Sequence, residues 1–210
     1  MELLIFASGG KEPKSGGSGF ENLYTSYRCF GQRVKIAAVV SNHPQGGVWA
    51  RAKRLNVPFI HFPAPWTAEK YQWLVRLTKA DFTALSGWLK PVTGLDPRTT
   101  FNIHPAPLPQ FGGKGMYGHH AHQAVIDAFR RGEITESAVT MHFVTEKYDD
   151  GPVFFTHPVP IFSGDDADSL GQRVLGVEHF FQPMITEKVV LGEISWDGVD
   201  PASLKGAILR

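Results

Sequence analysis

Two stretches without apolar–polar alternation, within residues 2–7 and 34–41, constrain this chain more than any other feature. A strand with one face in water alternates apolar and polar residues, so a run without alternation belongs in a sheet covered on both faces. Stretches of helical length follow at about 20–29, 47–56 and 67–79, the last with Tyr71, Leu74 and Val75 at helical spacing and Thr67 at the N-cap position. Segments 58–62, 82–85 and 99–104 read as further strands, so strands alternate with helices along the chain. That order predicts an α/β fold, a doubly wound, mainly parallel sheet with helices on both faces. A helix near 118–131 comes next. Strands at 138–144 and 153–161 then face each other across Tyr148-Asp149-Asp150-Gly151, an antiparallel C-terminal extension of the sheet. Asp165, Asp166 and Asp168 suit the start of a last long helix. The tail after Leu191 has no strong periodicity. No repeat or linker interrupts the pattern, so 1–210 is read as one domain.

Composition narrows the function classes. A length of 210 residues suits one domain with a substantial core. With 21 Lys+Arg against 20 Asp+Glu the net charge is +1, which argues against a nucleic-acid partner held by phosphate neutralisation and leaves a small anionic ligand open. The single cysteine, Cys29, excludes an internal disulfide framework and a multi-cysteine zinc site, and suits a reducing, cytoplasmic setting. The first apolar run is too short for a secretory leader, and no stretch approaches the roughly 20 apolar residues that span a bilayer, so no membrane partner is expected.

The strongest chemical signal is Phe101-Asn102-Ile103-His104-Pro105. Residues i and i+2 of a strand point to one side, so Asn102 and His104 present their polar ends together near the carboxyl end of a parallel strand, where open sheets bind ligands. An imidazole can exchange a proton near neutral pH, and an amide can donate to a developing oxyanion. A hydrogen-bonded pair closing a strand end has the same spacing. Asp149 and Asp150 are the carboxylates available to orient or charge His104, although their position also suits ordinary turn residues. The Gly-rich segment 8–19, between a buried strand and a helix, can cradle a phosphate on backbone N–H groups, yet neither Lys11 nor Lys14 sits in a P-loop frame. His119, His120 and His122, crowded into a helix start with no thiol nearby, are not read as a metal site. Trp66, Trp73 and Trp88 are read as packing residues.

Together, Asn102-Ile103-His104-Pro105 with Leu108-Pro109, His142-Phe143-Val144-Thr145, and Asp149 followed by Gly151-Pro152-Val153 resemble the folate-dependent formyltransferases, especially those acting on glycinamide ribonucleotide. The resemblance runs from the first strand to Gly192. It implies Asn102, His104 and Asp149 as the catalytic residues, with Asn102 and protonated His104 stabilising a tetrahedral oxyanion. Asp149 is then expected to raise the His104 pKa and to help carry a proton from the attacking amine to the leaving nitrogen. The implied co-substrate is 10-formyltetrahydrofolate, without a metal, in purine biosynthesis. Its binding would fall to Leu89, Lys90, Pro91 and Val92, to Asn102, and to a facing wall of Thr145, Glu146, Lys147, Tyr148 and Asp149. Gly17, Ser18 and Gly19 align with the family's phosphate-binding Gly-Ser-Asn, with Gly19 in place of the Asn, and residues 11–16 look like an insertion. Glu178 aligns with a segment that contacts the ribose. The implied partners are small molecules alone, glycinamide ribonucleotide and formyl folate, with the protein a monomer or weak homodimer. The family also turns on a cis Leu108–Pro109 bond. Two alternatives stand beside this reading: a formyltransferase for a sugar amine or other small amine, and a noncatalytic folate-binding module. A formyltransferase for initiator tRNA would need a further RNA-binding domain and a basic surface.

Overall fold

The computed structural model describes residues 1–10, 12, 15–30 and 33–209. Lys11 and Lys14 of the first Gly-rich segment lie outside them. The elements run β1 (Glu2–Phe6), α1 (Ser18–Phe30), β2 (Lys35–Ser41), α2 (Gly47–Leu55), β3 (Phe59–His61), α3 (Ala68–Thr78), β4 (Phe82–Leu85) and β5 (Thr100–His104). They continue through α4 (His119–Arg130), β6 (Glu136–Phe143), β7 (Val153–Pro160) and α5 (Ala167–Val190) to a single 3-10 turn at Pro201–Ser203. Seven strands form one sheet in the order β3-β2-β1-β4-β5-β6-β7. Strands β1 to β5 pair in parallel, and β6 and β7 join antiparallel.

The apolar run of β1 is explained by where alternate side chains go. Leu3, Ile5 and Ala7 enter one core with Phe20 and Leu23 of α1, Val48 and Ala52 of α2, and residues of α4 and α5. Leu4 and Phe6 enter the opposite core with Tyr71 and Leu74 of α3, Phe62 and Trp88. Both faces are dry from Leu3 to Phe6, so those four positions of β1 do not tolerate a polar residue. On the α3 side the Phe6 ring packs 5.3–6.2 Å, centroid to centroid, from Phe62, Tyr71 and Trp88. Truncation of such a ring costs about 3–5 kcal/mol.

The long helix α5 starts firmly. Asp166 and Ser169 form a reciprocal capping box, and the buried Asp165 accepts two hydrogen bonds from the Arg173 guanidinium at 2.7 and 2.9 Å. Thr67 occupies the α3 N-cap position without a side-chain hydrogen bond to the helix backbone. Trp73 departs from the packing role expected of it: it lies on the outer face of α3, 51% exposed, because Tyr71 and Leu74 already fill the inward stripe. The aperiodic tail is tied down by backbone pairing that periodicity cannot reveal, through bridges Phe155↔Ile208 and Ser195↔Lys205. Leu108–Pro109 is cis. Among the described residues no helix is long and apolar enough to cross a membrane.

Candidate active site

The chain leaves β1 toward β2 but places β4 on its other side, so the carboxyl ends of β1, β4 and β5 open into a crevice where the winding direction reverses. A cleft of about 900 Å³ fills it, lined by the glycine loop before α1, by 86–89 after β4, by 102–105, by the loop 113–118 and by one face of α5. Backbone and hydroxyl contacts lock the crevice edge. Ser8 N–H donates to the Gly87 carbonyl at 2.9 Å, Leu89 N–H to Ser8 Oγ at 2.9 Å, and Ser41 Oγ to the Ser8 carbonyl at 3.0 Å.

Asn102, His104 and Asp149 meet at the lip of this cleft, and a second, smaller cavity of about 70 Å³ shares Asn102 and Asp149. His104 is 3% exposed at the end of β5; its Nε2–H donates to the Phe111 carbonyl at 2.8 Å, and its Nδ1 faces Asp149 Oδ2 at 3.8 Å. Asp149 sits on the β6–β7 turn with φ +52°, and its Oδ2 accepts from the Gly113 amide at 2.9 Å. Gly112 permits that approach, since a Cβ there would stand 3.1 Å from the Asp149 Cβ and 2.6 Å from Leu108.

A fourth polar residue, His142, completes the cluster. Asn102 and His142 are opposite partners in the antiparallel β5–β6 ladder. His142 Nδ1–H donates to the Phe143 carbonyl at 2.8 Å, which leaves Nε2 to accept from Asn102 Nδ2 at 3.1 Å and to face Asp149 Oδ1 at 3.4 Å. The second Asn102 amide proton remains for a ligand. The motif around His142 is visible in the sequence, but its job depends on strand register, and no single-residue pattern announces it.

Electrostatics corrects one expectation. Asp149 does push the His104 pKa upward, yet burial of the ring outweighs it, and the value lies below that of an ordinary histidine. In the open cleft His104 is therefore biased to the neutral ring. Burial alone would raise the Asp149 carboxyl, but the His142 ring, His104 and the Gly113 amide together hold it below the usual carboxylate value. His122 is pushed down to about 4 by burial, with His119 and His104 adding to the shift. The three neighbouring histidines diverge: His119 meets Asp168 at 3.1 Å, His120 packs edge-on against Tyr117, and His122 lies against Gly171.

The remaining residues singled out from sequence fall into two groups. Gly17, Ser18, Gly19 and Glu178 line the large cleft with Leu89. Gly17 has φ +80°, and Gly16 packs so closely on Gly9 that a Cβ would stand 2.2 Å from its Cα. Arg51, which sequence reasoning missed, pins this loop, donating to the Gly16 carbonyl at 2.8 Å while its Nε meets Glu21 at 2.8 Å. Glu178 is raised to about 7 by burial, so near neutrality its carboxyl can donate as well as accept. Lys90, Pro91, Val92, Thr145, Glu146, Lys147 and Tyr148 line the smaller cavity, so both predicted walls are adjacent.

Comparison with known proteins identifies the family and the fold. The family described as formyl transferase matches residues 3–186. The chain is 34% identical over 210 residues to a chloroplastic phosphoribosylglycinamide formyltransferase of Vigna unguiculata, covering 94% of this chain and 64% of that one. It is 26% identical to the phosphoribosylglycinamide formyltransferase of Bacillus subtilis, covering 90% of this chain and 94% of that one. It thus spans just under two thirds of the plant relative and nearly all of the bacterial one. The crystal structure of glycinamide ribonucleotide transformylase 1 from Symbiobacterium toebii shares the fold, with a TM-score of 0.80, 24% identity, and coverage of 100% of this chain and 94% of that one.

Proposed function

The chain belongs to the formyl transferase family, and from that premise we propose that it acts as one formyltransferase domain that moves the formyl group of 10-formyltetrahydrofolate onto the amine of glycinamide ribonucleotide, a step of purine biosynthesis. The observation that carries this reading is the convergence of Asn102, His104 and Asp149 where the two cavities meet. A donor in the smaller cavity and an amine in the larger one would bring formyl carbon and nucleophile together there, which is most of what a bimolecular transfer asks of a protein.

The amine attacks the formyl carbon, the new C–N bond forms, and the carbonyl electron pair moves onto oxygen. The free Asn102 amide proton and His104 stabilise that oxyanion, and its negative charge favours the imidazolium that burial otherwise disfavours. Asp149 takes the proton shed by the amine and returns it to N10 of the folate as the old C–N bond breaks. The folate wall consists of 89–92 and 145–149. The amide N–H groups of Gly17, Ser18 and Gly19 at the start of α1 take the 5′-phosphate, and Glu178 takes the ribose hydroxyls. No step draws on a metal. The test is a formyl-transfer assay with 10-formyltetrahydrofolate and a panel of amines. Preference for glycinamide ribonucleotide over its dephosphorylated riboside and over amino sugars supports the assignment, and turnover of a sugar amine alone replaces it.

A further inference from the structure

The wall of the large cleft beside the glycine loop carries a polar pair that the steps above leave unused. Ser86, 7% exposed, follows β4, and Gln182, 2% exposed, comes from α5; both line the cleft. Gln182 Nε2 donates to Ser86 Oγ at 3.1 Å. A Cβ built on Gly19 would stand 2.2 Å from Ser86 Oγ and 3.1 Å from Gln182 Oε1. The pair therefore occupies the volume that a side chain at position 19 would take. Gly19 is in the first turn of α1, where amide protons lack intrahelical acceptors and collect anions.

A proton count shows what the pair can offer. One hydroxyl and one carboxamide bring three protons, and their mutual hydrogen bond uses one, whichever way the amide is turned. Ser86 Oγ makes no second hydrogen bond among the described residues. A buried hydroxyl proton without an acceptor is costly, and an oxygen of a ligand seated on α1 would relieve that cost. We propose that Ser86, held in place by Gln182, donates to a phosphate oxygen of the amine substrate, supplying from β4 and α5 the hydrogen bond that an amide side chain at position 19 would otherwise supply. The inference rests on reading Gly17, Ser18 and Gly19 as the phosphate cradle.

The experiment compares steady-state KM for glycinamide ribonucleotide and for its riboside, which lacks the phosphate, in four proteins: wild type, Ser86→Ala, Gly19→Asn and the double variant. Ser86→Ala should raise KM for the ribonucleotide about tenfold or more, the scale of one hydrogen bond to a charged acceptor, with KM for the riboside and for formyl folate unchanged. Gly19→Asn alone should also impair the ribonucleotide, because its side chain runs into the Ser86 hydroxyl. Removing that hydroxyl makes room, so the double variant should recover to within about threefold of wild type, a compensation that loss of packing would not give. Ser86→Cys, which keeps the shape and weakens the donor, should repeat the split if the alanine variant folds poorly. An unchanged ribonucleotide KM in Ser86→Ala, an equal rise for both amines, or a double variant worse than either single one overturns the proposal. If wild type uses both amines equally well, the phosphate cradle fails first and the pair loses its ligand with it. Wild-type discrimination retained in full by Ser86→Ala refutes the pair alone.

Discussion

The Asp149 carboxylate stands 3.8 Å from Nδ1 of His104, beyond hydrogen-bond reach, while Nε2 of the same ring is tied to the Phe111 carbonyl. The ring is thus oriented by backbone of the cleft loop, and Asp149 acts on it by charge. Neither residue replaces the other under the proposed chemistry. His104→Ala and Asp149→Asn should each lower kcat by at least about 10²-fold, the scale of a lost acid or oxyanion stabiliser. The His104 variant should still bind formyl folate. Near-wild-type turnover in that variant would defeat the mechanism.

The opposing influences on His104 give a signed pH effect. Burial lowers its pKa and Asp149 raises it, with burial the larger. Under the proposed mechanism the active form is the imidazolium, which is lost as pH rises. Removing the negative charge in Asp149→Asn leaves burial less opposed, so the alkaline limb of kcat/KM should move to lower pH. A profile whose alkaline limb stays in place despite the fall in rate would assign that limb to another group.

His142 offers a separate check on geometry. It faces Asn102 across the β5–β6 ladder and accepts one of its amide protons. His142→Ala leaves that amide free to turn and removes a neighbour of Asp149. With active sites counted by folate-analogue binding, kcat should fall about tenfold or more while KM for both substrates changes little. Unfolding free energy should fall by about 1–3 kcal/mol. A fall in stability with kcat per active site intact would reduce His142 to packing.

The parts of this molecule legible in its sequence are those governed by local period. The apolar run of β1 has no polar break because Leu3 and Leu4 enter opposite cores, and that condition is written residue by residue. Asn102 and His104 were legible because i and i+2 of a strand must share a side. His142 was not, since its pairing with Asn102 depends on the register of two strands 40 residues apart in the chain. Ser86 and Gln182, separated by 96 residues, meet only through the packing of α5 against the crevice. The direction of the His104 shift also escaped, because the neighbouring carboxylate can be guessed from a motif but the burial that outweighs it cannot. Trp73 follows the same rule. Its type suggests a core, and the competing inward stripe of α3 puts it outside.

The start of α5 supplies a test of stability that leaves the chemistry alone. Asp165 is buried and accepts a two-pronged hydrogen bond from Arg173, whose guanidinium holds its carboxyl far below the usual range. A depressed carboxylate stabilises the fold fully above the unfolded value, near pH 4, and the contribution is lost as pH falls through the folded value. Asp165→Ala strands the guanidinium and should cost about 3 kcal/mol in urea unfolding at pH 7, with a much smaller difference from wild type near pH 2. An equal difference at both pH values would argue that the pair contributes through shape alone.

The phosphate reading is tested most directly at Gly17. Its φ of +80° is a conformation that glycine adopts freely and a β-branched residue does not. A Cβ there would also stand 3.1 Å from Val48 Cγ2 and 3.2 Å from Val48 Cα, closer than α2 can accommodate without moving. Gly17→Val should therefore turn the loop, pull its amides off the anion and raise KM for glycinamide ribonucleotide about tenfold or more, since each hydrogen bond to a charged acceptor is worth about 1.5–3 kcal/mol. The proposed folate wall, apart from Leu89, lines the smaller cavity, which Gly17 does not reach, so binding of formyl folate should change little. A parallel loss of folate binding would point to general unfolding, which a thermal melt separates from a local effect. If the variant stays folded and its KM for the ribonucleotide is unchanged, the phosphate lies elsewhere, and a formyltransferase for a sugar amine becomes the better description of the cleft.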